Sequence, residues 1–337
     1  MKKIFGPSEP RKRQLIFIRR KFRRSVRISK IIYYGKDQHD RYVINCPPAF
    51  SVVDNPNEMV STFAKVEELI YNNKKVFFNM TKIKTITLDA VLYLLALLDR
   101  AKKAKYILNI SGNLPLDRKC KETIGKSGFY DFVVSKSATI TSSDYFTVRN
   151  GEKSDSPLAN DVLDFVYRHT GQERDLKSRR IYNIIIECMV NTWHHAYDSS
   201  HKTNQWWMIA SNEKDKKRVR FYFFDTGKGI PTTVAKNFGD MVGALAKKLK
   251  LKKLRDGALI KSALDGEFRT STRQHHRGKG LPSMKETYNT KNISDLIVIS
   301  NRGMYRCAMG ETIELKHRFK GTLLAWEFSY SDFKEAS

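Results

Sequence analysis

Long apolar runs are missing from this 337-residue chain, and none approaches the roughly 18–20 apolar residues of a membrane-spanning helix. The basic N-terminus likewise lacks the uninterrupted apolar core and small-residue cleavage site of a signal peptide, so the expected location is cytoplasmic. Cysteine is sparse. Cys46, Cys120, Cys188 and Cys307 are widely separated and form no Cys-x-x-Cys pair, which argues against a disulfide framework or zinc ribbon and predicts reduced, buried thiols. Acidic residues are also short: 35 Asp plus Glu face 62 Lys plus Arg, a net charge of +27. Such an excess goes beyond the needs of solubility and predicts attraction to polyanions or an acidic partner.

What is present is unevenly distributed. Residues 1–36 hold thirteen basic residues and one acid, Glu9, and residues 247–277 form a second basic stretch. In the first, Arg19, Arg20, Lys21, Arg23 and Arg24 follow the apolar Leu15-Ile16-Phe17-Ile18. That pattern suits a nucleic-acid-binding arm, a surface helix at anionic lipid, or a solvated basic face. The arm is taken as residues 1–40. Beyond it, strand-like 41–46, helical 57–71, strand-like 75–80, helical 88–105, strand-like 106–110 and helical 117–126 alternate. This order predicts a parallel-containing sheet with right-handed crossovers in an α/β unit covering residues 41–140. Residues 141–170 are polar and turn-rich and read as a connector with some structure of its own.

The stretch Asn79-Met-Thr-Lys-Ile-Lys-Thr-Ile-Thr-Leu-Asp89-Ala-Val-Leu-Tyr, followed by Gly112-Asn-Leu-Pro and Gly128-Phe-Tyr, resembles the STAS fold of anti-anti-sigma factors. Phosphorylatable members of that family present a serine at the strand-to-helix turn. Here the matching place falls at Asp89, with Thr85 and Thr87 upstream. Asp89 reads as a first-turn helix acid favoured by the helix dipole, and alternatively as a fixed imitation of a phosphate charge.

Residues 171–332 hold the chemistry. An apolar helical run through Ile181, Ile184, Ile185, Cys188 and Met189 sets Glu187 and Asn191 four residues apart, on one helix face. A hairpin, 205–210 with 218–225, ends at Asp225, which opens Asp225-Thr-Gly227-Lys228-Gly229-Ile-Pro231. After a long helical, basic insertion come Gly278-Lys279-Gly280-Leu, a strand at 295–300 and a terminal Gly321-Thr322. These four blocks, in this order, resemble the GHKL, or Bergerat-fold, ATPase and kinase superfamily. The helix run ending His195-Ala-Tyr is most similar to its anti-sigma-factor serine kinase branch. The resemblance implies a mixed sheet with helices on one face, giving two α/β (α+β, two-layer) units in all.

Carried over by residue, the resemblance implies that Asn191 holds Mg2+, that Asp225 accepts the adenine amino proton, and that Gly227 and Gly229 permit close approach of ATP. Gly278 and Gly280 would offer backbone N–H groups to phosphates beside Lys279, Thr322 would meet the adenine edge, and Lys228 is a weaker nucleotide contact. Glu187 would be the general base. Its proton would come from water, giving hydrolysis, or from a protein hydroxyl, giving phosphoryl transfer. A STAS-like or sigma-factor-like regulatory partner is implied, and a homodimer is compatible with it. An ATPase gated on nucleic acid through the basic arm and insertion is the alternative. His194-His195 and His275-His276 do not complete a zinc set, and Trp193, Trp206 and Trp207 read as packing residues.

Overall fold

The computed structural model describes residues 35–133, 140–171, 176–194, 205–268 and 280–330. The arm residues Arg19, Arg20, Lys21, Arg23 and Arg24, together with Gly278 and Lys279, lie outside them. The fold is α/β. Its N-terminal unit runs β1 (Tyr42–Asn45), β2 (Ala49–Phe50), α1 (Pro56–Tyr71), β3 (Val76–Asn79), β4 (Thr85–Ile86), α2 (Leu88–Lys103), β5 (Ile110–Gly112), α3 (Arg118–Lys126) and α4 (Phe129–Val133). Strands β1, β3 and β5 pair in parallel in that order, with Tyr42 opposite Val76 and Val76 opposite Ile110. Parallel neighbours need crossovers, and α1 and α2 supply them. A second, two-stranded parallel sheet joins β2 to β4.

Strand β5 starts four residues later than expected. The chain leaves α2 through Lys105 at φ 61°, and Ile107 is left 65% exposed. Tyr106 and Leu108 still pack against the N-terminal core, but the ladder with β3 begins only at Ile110. Asp89 does sit in the first turn of α2, yet it is fully buried, and its Oδ2 accepts the Val53 N–H at 2.8 Å. It fastens the turn at Val53 to the start of α2 and does not display its charge at the surface.

The second unit contains β6 (Tyr145–Gly151), α5 (Ser156–Thr170), α6 (Leu176–His194), β7 (Trp206–Glu213), β8 (Arg218–Asp225), α7 (Ile230–Asn237), α8 (Gly239–Lys248), α9 (Asp256–Leu264), α10 (Gly280–Asn289), β9 (Ser294–Arg306) and β10 (Glu311–Ser329). Its strands form one sheet in the order β6-β7-β8-β10-β9. Two expectations are corrected here. Residues 141–170 are no connector, because β6 is the sheet's edge strand and α5, capped by the Asp155 carboxylate, packs into its core. The sheet is antiparallel at every pairing, not mixed.

A third correction concerns the layers. Successive strand residues point to opposite faces. On one face Trp206, Met208, Phe221, Phe223, Val298, Leu324 and Trp326 pack against Val162, Ile181, Ile185 and Met189 of α5 and α6. On the other, Trp207, Ile209, Tyr222, Phe224, Ile299 and Leu323 share a core with Phe63, Tyr93 and Leu97 of α1 and α2. Helices therefore cover both faces. The Tyr93 ring stacks on Phe319 at 4.5 Å and meets Phe224 edge-on at 5.2 Å. Charge crosses the same boundary: Glu67 of α1 is buried between Arg100 of α2, at 2.6 Å, and Lys320 of β10, and the Tyr71 hydroxyl donates to it at 2.9 Å. All four cysteines are free and buried.

Candidate functional site

The ends of β8, β9 and β10 bring four sequence blocks together. Thr322 stands opposite Asp225 on one side and Ser300 on the other. Just before it the β9–β10 register shifts, and Gly321 takes φ 103° with its Cα against the Asp225 carbonyl and the Phe224 ring. A side chain there would collide with backbone, so this irregularity requires glycine. Asp225 Oδ1 accepts the Gly227 N–H at 2.7 Å, and Thr322 also bonds the carboxylate. Burial nevertheless pushes the Asp225 carboxyl up to about 6, against those two bonds. Near neutral pH it is an ionised, acceptor-only group in a low-dielectric setting.

Gly229, at φ 86°, precedes α7 and leaves no room for a side chain beside Asn301 and Ser300. Lys228 is half-buried, and its carbonyl accepts from the Arg318 guanidinium at 3.5 Å. Across from this wall, α6 carries Glu187 and Asn191, both half-buried and on the face turned to α10. The first residue of α10 is Gly280, where an added Cβ would lie 2.5 Å from Asn191 Nδ2 and 3.0 Å from Glu187 Oε2. The carboxylate, the amide and the start of a helix thus converge. Burial raises the Cys188 thiol, and the Asp225 and Glu187 carboxylates add to that effect.

No family model matches the sequence, and no curated protein matches it. The site must be read from its own residues.

Of the expected residues, Glu187, Asn191 and Gly280 form one cluster, and Asp225, Gly227 and Thr322 form another, flanked by Lys228 and Gly229. Ser300 was not anticipated. Its hydroxyl accepts the Ile230 N–H at 2.9 Å, donates to the Gly321 carbonyl at 3.0 Å and lies 3.2 Å from Thr322 Oγ1. It ties α7, the Gly321 irregularity and Thr322 together. A polar residue closing the apolar run 296–299 was the signal that could have marked it. Asn301, in the left-handed region at φ 52°, and Arg318 were also missed. Arg318 donates to Asn301 Oδ1 at 3.2 Å and to Thr232 Oγ1 at 3.0 Å, bracing the glycine-rich turn with positive charge. Among the described residues no group of three or more His, Cys, Asp or Glu could hold a metal ion, so a cation here would draw most of its ligands from a bound phosphate and water.

Proposed function

We propose that this chain binds Mg-ATP between α6 and the β8–β10 end of the sheet, and uses it for phosphoryl transfer to a protein Ser or Thr, as an anti-sigma-factor kinase-like switch of the GHKL type. The observation that carries the reading is the approach of Gly280 to both Asn191 and Glu187, which sets the first residue of a helix against an amide and a carboxylate side chain. Asp225, ionised and accepting, selects the exocyclic amine of adenine over the carbonyl of guanine, while Thr322 holds the carboxylate in place. The Asn191 amide oxygen is a fitting hard ligand for magnesium beside phosphate oxygens. Magnesium would supply charge neutralisation on the phosphates. Glu187 then takes the proton of the attacking hydroxyl as its oxygen bonds to the γ-phosphorus and the bond to the β–γ bridging oxygen breaks, leaving ADP. The N-terminal unit, packed on the sheet next to Thr322, would carry the regulatory partner contact.

Hydrolysis is the second reading, favoured by the +27 charge, which suits an ATPase gated by nucleic acid. One experiment addresses both: follow labelled γ-phosphate with the full chain, with and without nucleic acid. Label on a protein hydroxyl supports the kinase reading, and free phosphate stimulated by nucleic acid supports the other. Glu187→Gln should lower turnover by roughly a hundredfold or more while leaving ATP binding intact, whereas Asp225→Asn should weaken binding itself in calorimetry. Wild-type ATP affinity in Asp225→Asn, with the fold retained, would remove the adenine assignment.

A further inference from the structure

Helix α8 stops in an αL turn. Leu249, Lys250 and Leu251 N–H groups bond back to the carbonyls of Leu245, Lys247 and Ala246 at 3.0, 3.0 and 2.9 Å, with Lys250 at φ 56°. A few residues on, Leu254 is 2% exposed and packs with Val234, Ala246, Leu259 and Phe268, so the chain is anchored again. Between these anchors every residue from 247 to 253 is exposed. Lys247, Lys248, Lys250, Lys252, Lys253 and Arg255 carry six positive charges with no acid among them, and none has an acidic partner among the described residues. Of the two acids nearest in sequence, Asp240 lies near the far end of α8, and Asp256 accepts the Arg302 N–H. Leu249 and Leu251 stand among these lysines at 52% and 51% exposure.

We propose that this basic, leucine-tipped turn docks the protein on an anionic lipid bilayer. A nucleic acid would satisfy the lysines through its phosphates but leave both leucines in water. At a bilayer surface both needs are met: leucines enter the boundary between headgroups and acyl chains, lysine stems lie along it, and their ammonium groups stay among anionic headgroups. The pinned Leu254 and the left-handed Lys250 hold the turn in shape, so little ordering accompanies docking. The inference does not depend on the nucleotide reading.

The test uses the full chain and co-sedimentation with phosphatidylcholine vesicles containing about one-third phosphatidylserine, with duplex DNA as the competing probe. Leu249→Ser with Leu251→Ser should weaken vesicle binding about twentyfold and leave DNA affinity unchanged, since the two half-exposed leucines act only where apolar burial is offered. Neutralising the five lysines to Gln should weaken vesicle binding by about fivefold per lysine. Because the basic N-terminal arm can add adhesion of its own, a local reading is needed as well. Leu251→Cys bearing an environment-sensitive dye, the four native thiols being buried, should shift its emission to the blue on phosphatidylserine vesicles and not on DNA. An unshifted dye on bound vesicles, or vesicle binding unaltered by the leucine variant, overturns the proposal. Lysine-dependent DNA binding combined with leucine-independent vesicle binding would reassign the surface to nucleic acid.

Discussion

The two faces of the five-stranded sheet both carry an apolar core but are covered from different places in the chain. One is sealed by α5 and α6, contiguous with the sheet in sequence, and its hydrophobic core is edged by a neutral contact of Asn212 with the His169 ring at 2.9 Å. The other is sealed by α1 and α2, which come from a unit with its own parallel sheet, and polar groups are threaded through that boundary: Glu67 with Arg100 and Lys320, and the Arg306 guanidinium on the Val53 carbonyl at 2.8 Å. A seam built from local elements can be greasy, because chain connectivity fixes its register. A seam between remote segments gains orientation from charged and hydrogen-bonded contacts.

Removing residues 1–140 should have the largest effect. It would bare Trp207, Tyr222, Phe224, Ile299 and Leu323 together, and the remaining chain is expected to aggregate when expressed, a soluble and cooperatively melting product being the contrary result. Next come paired truncations on one strand. Phe223→Ala and Phe224→Ala empty opposite faces, and each should cost about 3–5 kcal/mol with a single urea transition. Two separated transitions in Phe224→Ala alone would show that the N-terminal unit melts as an independent body.

Glu67→Ala leaves Arg100 and Lys320 without their shared carboxylate and should cost about 3 kcal/mol. Burial opposes the charge on Glu67, but Arg100 and Lys320 outweigh it and hold the carboxyl below its ordinary 4.5. A depressed carboxyl stabilises the fold above its unfolded value and loses that contribution as pH falls through the folded value. The gap between wild type and variant should therefore close below about pH 4.5 in denaturant titrations. The smallest effect has the opposite sign. Asp89 is raised by burial, against its bonds from Thr87 and Val53, and its Oδ1 has no well-aligned partner. Its contribution is full below pH 3.8 and is lost as pH rises through the folded value. Asp89→Asn should thus stabilise the protein near neutral pH by on the order of 1 kcal/mol, and a loss of stability there would mean that the charge itself holds α2 in place.

Helical spacing and capping residues made α1, α2 and α3 readable in advance, and the apolar runs did the same for β3 and the β7–β8 hairpin. The double covering of the sheet was also written there, though read otherwise. Runs such as 206–210 and 221–224 are apolar without alternation, which is what a strand buried on both faces needs. Helix α5 was legible too, since Leu158, Val162, Phe165 and Val166 recur at helical spacing behind Asp155, but polar neighbours masked them. In the site, residue types and order identified Glu187, Asn191, Asp225 and Thr322 as candidates. Ser300 and Arg318 join it only through β9–β10 pairing, a long-range register that no local pattern encodes.

Trp206 and Trp207 are neighbours in β7 whose indoles face opposite layers, and they differ in setting. The Trp206 Nε1–H donates to the Lys153 carbonyl at 2.8 Å, whereas the Trp207 Nε1–H has no partner among the described residues. Beside Trp326 of β10, the sheet thus carries two neighbouring optical reporters, one for each layer. With Trp193 and Trp326 replaced by Phe and one of the two indoles removed at a time, emission wavelength and quencher access would show which layer lifts first when the protein is warmed, without any added dye.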